Sequence, residues 1–323
     1  MTRLNVFFGL QILLFLWLMT AIIQPLYAKS CSIGNNHILY KFENVEKKIG
    51  IALLIGNSRY HSGTLKYPVK DAISIASILN RIGFAVARFE NFKNKSEFNG
   101  VTRQFNKCLK ISKYFVALFY FSGHGAYIKE QSANFLIPID DSDIQDRADV
   151  EIDSFSVKKL FLRLKEADNK LNIVILDACR KHPYLIFSKG LGKMPRFYHV
   201  IVAYPTKYGK TIEPTSSSSR REKNSLYVKH FLKELELAYK NGIEVKDFLD
   251  KVHKRVMKES KKRQYPIVRP LRKVFFCWKK TCPKNSLDEL DDELSREVDD
   301  GENDEQEAKK VTRRSYKGLR GGH

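Results

Sequence analysis

The chain has 323 residues, 43% of them hydrophobic and 12% aromatic, with only 17 Gly and 10 Pro. That composition excludes a low-complexity or wholly disordered chain and leaves room for one large folded domain with appendages. The formal charge of +21 is uneven, because residues 287–308 hold twelve acidic residues against Arg296 alone, so the remainder carries about +32.

A field of that size attracts acidic proteins, anionic lipid or nucleic acid without selecting among them. No aromatic-interleaved basic motif marks a nucleic-acid module, so no specific nucleic-acid partner is expected. The first organised feature is the apolar run Val6 to Ile23, preceded by Arg3 and followed by Pro25 to Ala28. The layout favours a cleaved signal peptide, residues 1–28, which implies a secreted, periplasmic or lumenal protein. An uncleaved membrane anchor is the alternative, with membrane association through the same segment. Residues 29–48 read as a linker. Of the five cysteines, at 31, 108, 179, 277 and 282, four can form two disulfides in an exported chain, leaving one thiol free. Cys277 and Cys282 are plausible partners as near neighbours.

From residue 49 short apolar runs alternate with helical patterns. This predicts an α/β domain over 49–278: three layers, with a mainly parallel sheet of about six strands covered by helices on both faces. Ile51 to Ile55 predicts a buried strand, Val69 to Ile82 a helix, Phe84 to Phe89 a strand and Ser96 to Ile111 an amphipathic helix. Tyr114 to Phe121 is an almost unbroken apolar run, as a central strand requires. Phe135 to Ile139 reads as a short extended piece, Asp140 to Asp153 as an acidic loop and Ser156 to Leu164 as a helix. Leu171 to Leu176 and Val200 to Ala203 predict strands. Asn224 to Tyr239 and Val245 to Lys258 predict helices separated at Gly242, and Leu271 to Phe276 a last strand. Residues 279–323 read as a charged, disordered tail.

Two of these strands run into reactive residues: one into Ser122-Gly123-His124-Gly125, the other into Asp177-Ala178-Cys179-Arg180. Ligand crevices of parallel sheets lie beyond the carboxyl ends of the strands, so the two segments should meet at one edge. A Cys/His pair supplies a thiolate nucleophile and a general acid for the leaving amine, making His124 and Cys179 the candidate catalytic dyad. The N–H groups of Gly125 and Cys179 are candidate oxyanion-hole donors. A lone buried Cys or His is commonly structural, and it is the pairing at two strand ends that points to chemistry.

Ile51 to Asn57, Leu65 to Ala72, Phe119 to Gly125, Asn134 to Asp140 and Asp177 to Pro183 resemble successive landmarks of the caspase-like peptidase domain. Ala203-Tyr204, Asn224-Ser225 and Gln264-Tyr265-Pro266 resemble its later part more weakly. The His precedes the Cys by 55 residues, close to the caspase spacing. The resemblance is nearer to paracaspases, metacaspases and bacterial caspase homologues than to animal caspases, since Asp177 stands where caspases carry Gln. It implies a cysteine endopeptidase acting on proteins or peptides, in which Asp71 and Asp177 select Arg or Lys before the scissile bond and Ser122 contacts substrate. Two carboxylates converging on a cleft pair with a guanidinium or ammonium and reject an acidic side chain. Asp71 can equally be a first-turn helix residue favoured by the macrodipole. The family's third acidic pocket residue has only Glu213 as an approximate counterpart, near Lys210 and Thr211, and Lys66 keeps an Asp-selective reading open. No cofactor or metal is expected. Asp140, Asp141, Asp143, Asp146 and Asp149 lack the ligand spacing that metacaspase-like calcium dependence would suggest and read as a solvated acidic loop. A non-catalytic caspase-fold adaptor is the alternative function. Oligomeric state is not legible.

Overall fold

The computed structural model describes residues 29–111, 116–169, 171–180, 190–195, 200–207, 223–241 and 245–269. The N-terminal segment 1–28, the Cys277/Cys282 pair, the 271–276 strand, Glu213, Lys210, Thr211 and the acidic tail lie outside the described residues. Among those described, no helix is long and apolar enough to cross a membrane.

The chain runs β1 (Cys31–Gly34), β2 (Leu39–Phe42), β3 (Gly50–Gly56), β4 (Arg59–Tyr60), β5 (Gly63–Thr64), α1 (Pro68–Arg81), β6 (Ala85–Glu90) and α2 (Lys95–Lys110). It continues as β7 (Val116–Ile128), β8 (Ala133–Leu136), α3 (Arg147–Asp153), β9 (Phe155–Ser156), α4 (Val157–Ala167) and β10 (Leu171–Arg180). The last elements are β11 (Val200–Tyr204), α5 (Leu226–Asn241), α6 (Val245–Glu259) and β12 (Ile267–Arg269). The central sheet has the order β12-β11-β10-β7-β3-β6, with β8 and β9 joined at its margin. All neighbours from β11 to β6 are parallel, and β12 is antiparallel to β11.

Alternation along the strands divides the core in two. Ile51, Leu53, Ile55, Phe119 and Phe121 face α2 and α4, while Ala52, Leu54, Leu118 and Tyr120 face α1, α5 and α6. All seven residues of β3 are buried, as its unbroken apolar run requires. On the first face Phe98 of α2 packs edge-on to Phe92 at 4.9 Å between centroids and stacks with Phe155 at 5.5 Å. Truncating such a residue to Ala removes about 3–5 kcal/mol.

Several expectations need correction. Residues 29–48 are not a bare linker: β1 and β2 form an antiparallel hairpin, and Cys31 is bonded to Cys108 of α2 with the Cα atoms 5.4 Å apart. Gly34 N–H donates to Gln104 at 2.6 Å and the Tyr40 hydroxyl to the Arg88 carbonyl at 2.6 Å, so the hairpin is seated on α2 and the β6 edge. The expected acidic loop contains α3, whose start is fixed by a capping box between Asp146 and Asp149. Asp141 is fully buried and accepts from Ser62 N–H at 3.1 Å and from the Ser62 hydroxyl. Asp143 and Asp146 are exposed as expected of a solvated acidic segment, whereas Asp141 is buried and Asp146 and Asp149 hold the start of α3. Among the described residues no group of three His, Cys, Asp or Glu converges as a cation site.

Candidate active site

The chain leaves central β3 for β6 on one side and returns to β7 on the other, so the strand order reverses between β3 and β7. Open α/β sheets bind ligands beyond the carboxyl ends of the strands at such a point. Here the register aligns Gly56 of β3 with Ser122 of β7, and Ser122 with Asp177 of β10.

Beyond this line the strands behave differently from the sequence expectation. Parallel pairing of β7 with β3 stops at Ser122, but β7 continues through His124 to Ile128 by taking β8 as its new neighbour. The β8 pairing aligns Gly125 with Leu136 and Ala126 with Phe135, and Ile137 N–H donates to the His124 carbonyl at 3.1 Å. Alternation of an antiparallel ladder then leaves the Gly125 N–H on the side of β7 that faces β10. His124 therefore sits within a strand rather than in a loop after one. β10 likewise runs on to Arg180, which pairs with His124, and an irregularity between Asp177 and Arg180 inserts Ala178 and Cys179 opposite Gly123. The backbones of Cys179 and His124 are thus brought together on adjacent strands. The Cys179 thiol lies outside the described part of the structure.

His124 is 4% exposed. Its N–H donates to the Tyr60 hydroxyl at 2.8 Å, which in turn donates to the Ile137 carbonyl at 3.1 Å, and the Tyr60 ring lies edge-on to the imidazole at 4.4 Å. Burial pushes the Tyr60 phenol far up, so it stays protonated and continues to bridge the two backbones. Asn57, directly after β3, is fully buried and secures the same edge: its N–H donates to the Ser122 carbonyl at 2.9 Å, and its side chain accepts from Phe92 N–H at 3.0 Å.

Asp177 contacts Tyr120, and the Asp71 carboxylate acts electrostatically on the same phenol. Asp177 is 7% exposed, and its Oδ2 accepts from the Tyr120 hydroxyl at 3.4 Å. Burial, then the Asp177 and Asp71 carboxylates, push the Tyr120 phenol up, which keeps it a donor. Asp71, in the first turn of α1, is fully buried, and its Oδ1 accepts from Asn224 Nδ2 at 2.9 Å and Ser225 N–H at 3.0 Å. Asp71 therefore also ties the approach to α5 against α1. Tyr227, on α5, is raised by burial and by Asp177. Lys66, the residue behind the Asp-selective reading, is exposed and places its ammonium 4.8 Å over the Tyr67 ring.

One element of the site was absent from the sequence reading. Fully buried Asn134 of β8 clamps the segment after Cys179: its Nδ2 donates to the Gly192 carbonyl at 2.9 Å and its Oδ1 accepts Gly192 N–H at 2.7 Å. A side chain on Gly192 would collide with the Tyr127 ring, so only glycine fits the clamp. Neighbouring Leu191 lies against Gly125, where an added Cβ would stand 2.7 Å from Leu191 Cδ2 and 2.9 Å from Ala178 Cβ. Tyr120 could have been singled out, since a phenol within a buried strand requires a polar partner. Tyr60 carries no such local signal, and Asn134 stands at the head of a recognised segment without any sign of its partner Gly192.

The sequence matches the model of the caspase domain, peptidase family C14, over residues 49–276. It is 27% identical over 132 residues to the human mucosa-associated lymphoid tissue lymphoma translocation protein 1, and equally to its mouse homologue. That alignment covers 41% of this chain and 15% of each relative. With the family match spanning most of the chain and the sheet edge built as described, the chain belongs to the caspase-domain family of peptidases.

Proposed function

We propose that the protein is a cysteine endopeptidase that hydrolyses peptide bonds after Arg or Lys, with Cys179 as nucleophile and His124 as general base and acid. Family membership supports the reaction class. The observation that carries the specificity is the pair of buried carboxylates, Asp71 and Asp177, around Tyr120 at the sheet edge that also bears His124.

In this reading the Cys179 thiol gives its proton to His124 and its sulfur attacks the scissile carbonyl. The N–H groups of Gly125 and Cys179 receive the developing oxyanion. His124 returns the proton to the leaving amine, and a thioester forms on Cys179. Water, deprotonated by His124, then releases the acid product. In the same reading Asp71 and Asp177 attract the guanidinium or ammonium of the residue before the bond, and Ser122, level with Asp177 on the adjacent strand, contacts substrate beside them. Lys189, Lys193, Arg196, Arg220 and Arg221 make the segments 188–196 and 216–223 the expected places of self-cleavage under this reading.

The Cys31–Cys108 disulfide supports export, because such bonds persist in oxidising compartments. Iodoacetamide labelling tests the nucleophile directly. Loss of activity should parallel carbamidomethylation of Cys179 by peptide mapping, and an arginyl peptide should protect both. Full activity with Cys179 completely alkylated would rule it out as the nucleophile, and absence of any peptidase activity in the folded, unlabelled protein would favour the non-catalytic adaptor; either result would overturn the proposal.

A further inference from the structure

We propose that the acidic segment 287–308 of this chain docks on a basic face formed by the second half of α6 and the turn after it. Between residues 251 and 263 the chain carries Lys251, Lys254, Arg255, Lys258, Lys261, Lys262 and Arg263, all exposed, against a single acidic residue, Glu259. Lys251, Lys254 and Lys258 recur at helical spacing and form one stripe along α6, and Lys261 and Lys262 follow it in the turn.

Of the nearby carboxylates, Glu259 and Glu234 are already engaged, and Asp247 and Asp250 lie on the preceding turns of α6. Glu259 pairs with Lys229 and with His230 Nε2 at 2.9 Å, and Arg255 pairs with buried Glu234. Lys251, Lys254, Lys258, Lys261 and Lys262 have no ion-pair partner among the described residues. The stripe is therefore a surface of uncompensated charge rather than a salt-bridge network.

Its geometry is fixed. Lys261 and Lys262 both adopt left-handed backbone, with φ of 52° and 62°, where residues other than glycine are held only by their surroundings. Lys262 N–H donates to the Met257 carbonyl at 2.8 Å, closing the helix end. Buried Ser260 accepts from Gln264 N–H at 3.1 Å, and Gln264 Nε2 reaches the Pro205 carbonyl at 2.9 Å, just beyond β11. Continuing the β10–β11 register brings Pro205 level with Asp177, so the turn is anchored on the rim of the cleft.

The occupant is chosen by charge and reach. The net charge of −11 in 287–308 complements the stripe, and β12 ends at Arg269, eighteen positions before that segment begins. Eighteen residues extend to about 60 Å, enough to reach any face of a domain this size. The helices α2 and α4 carry fewer basic residues: Lys95, Arg103, Lys107 and Lys110 on one, and Lys158, Lys159, Arg163 and Lys165 on the other, against seven on the α6 segment with its turn. The α6 stripe with its turn is the denser target.

The test is carbodiimide cross-linking of the full-length protein, dilute and at low salt, carrying Cys179→Ala so that self-cleavage cannot intervene. Cross-links should join carboxylates of 287–308 to Lys251, Lys254, Lys258, Lys261 or Lys262 within one chain. Replacing Lys258, Lys261 and Lys262 with Glu should reduce the cross-links to the retained Lys251 and Lys254 about fivefold, the combined effect of three exposed charge contacts. Cross-links to α2 or α4 lysines instead, cross-links between isotopically distinguished copies, or yields at Lys251 and Lys254 unchanged by the charge reversal would each overturn the proposal.

Discussion

Reducing the Cys31–Cys108 bond should lower the melting temperature by about 9 °C. The bond closes a loop across a sequence separation of 77 residues. Chain-entropy treatment of a loop that long gives about 4.5 kcal/mol at 25 °C, most of it through restriction of the unfolded chain. A domain of about 230 residues unfolds with an entropy near 0.5 kcal/mol/K, which converts that free energy to about 9 °C. Native contacts of the hairpin should survive reduction, because buried Ile33, the Gln104 bond to Gly34 and the Tyr40 bond to Arg88 do not depend on the sulfur bridge. The assay is calorimetry with and without a phosphine reductant, together with the Cys31→Ser variant, chosen because Cys31 is only half-buried while Cys108 is fully buried. Reduced wild type and oxidant-exposed Cys31→Ser should melt within about 2 °C of each other if the entropy argument holds. A shift below about 2 °C on reduction, or a variant far less stable than the reduced wild type, would refute it.

Asp177→Asn should lower kcat/KM for arginyl peptides about 30- to 100-fold, the loss of one charge-assisted contact, with a smaller effect on peptides carrying a neutral residue there; equal losses on both would contradict a specificity role. Asn134→Leu should release the 190–195 segment by leaving Gly192 N–H and C=O unpaired. This should destabilise the protein by about 2–4 kcal/mol in urea titration and increase proteolysis after Lys193, and an unchanged midpoint would refute the clamp. Burial holds His230 and His253 below the ordinary imidazole range, opposed by Glu259 at the first and by Asp250 at the second. The folded state then binds fewer protons than the unfolded chain, so stability present above pH 6.5 is lost as pH falls toward the folded values. Glu259, held low chiefly by Lys229, adds a loss in the same direction at more acidic pH. Melting temperature should therefore fall on going from pH 7.5 to 5.5 in wild type and fall less in a His230→Gln/His253→Gln variant, while a flat or rising wild-type profile would contradict this linkage.

The sheet is legible in the sequence because its central strands are continuous apolar runs: β3, β7 and β10 begin within two residues of where hydrophobic patterning predicts, and the helices other than α3 match their predicted spans within a few residues. Patterning could not show where β7 and β10 end. Ser122 to Gly125 and Asp177 to Arg180 are polar or small, so they resemble loops, yet hydrogen bonding to β8 and across the β7–β10 pair keeps them extended. The N-terminal hairpin was missed for a related reason. Its strands are four residues each and half-exposed, and they depend on α2 and Cys108, which lie far away in sequence. Asp71 and Asp177 are visible as acidic residues in recognisable segments, but the hydrogen bond of Asp177 to Tyr120 and the seating of Asp71 against Asn224 and Ser225 are consequences of strand order and helix placement. Asn134 depends on a partner 58 residues away, a pairing that local sequence does not encode.

The central claim is tested most directly by hydrolysis of matched fluorogenic peptides ending in Arg, Lys or Asp, with wild type and Cys179→Ala measured side by side. The account predicts turnover of the Arg and Lys reporters by wild type, none by Cys179→Ala, and Asp turnover lower by a factor of about 100 or more. Preference for Asp, undiminished activity in Cys179→Ala, or no hydrolysis of any reporter by folded wild-type protein would contradict it.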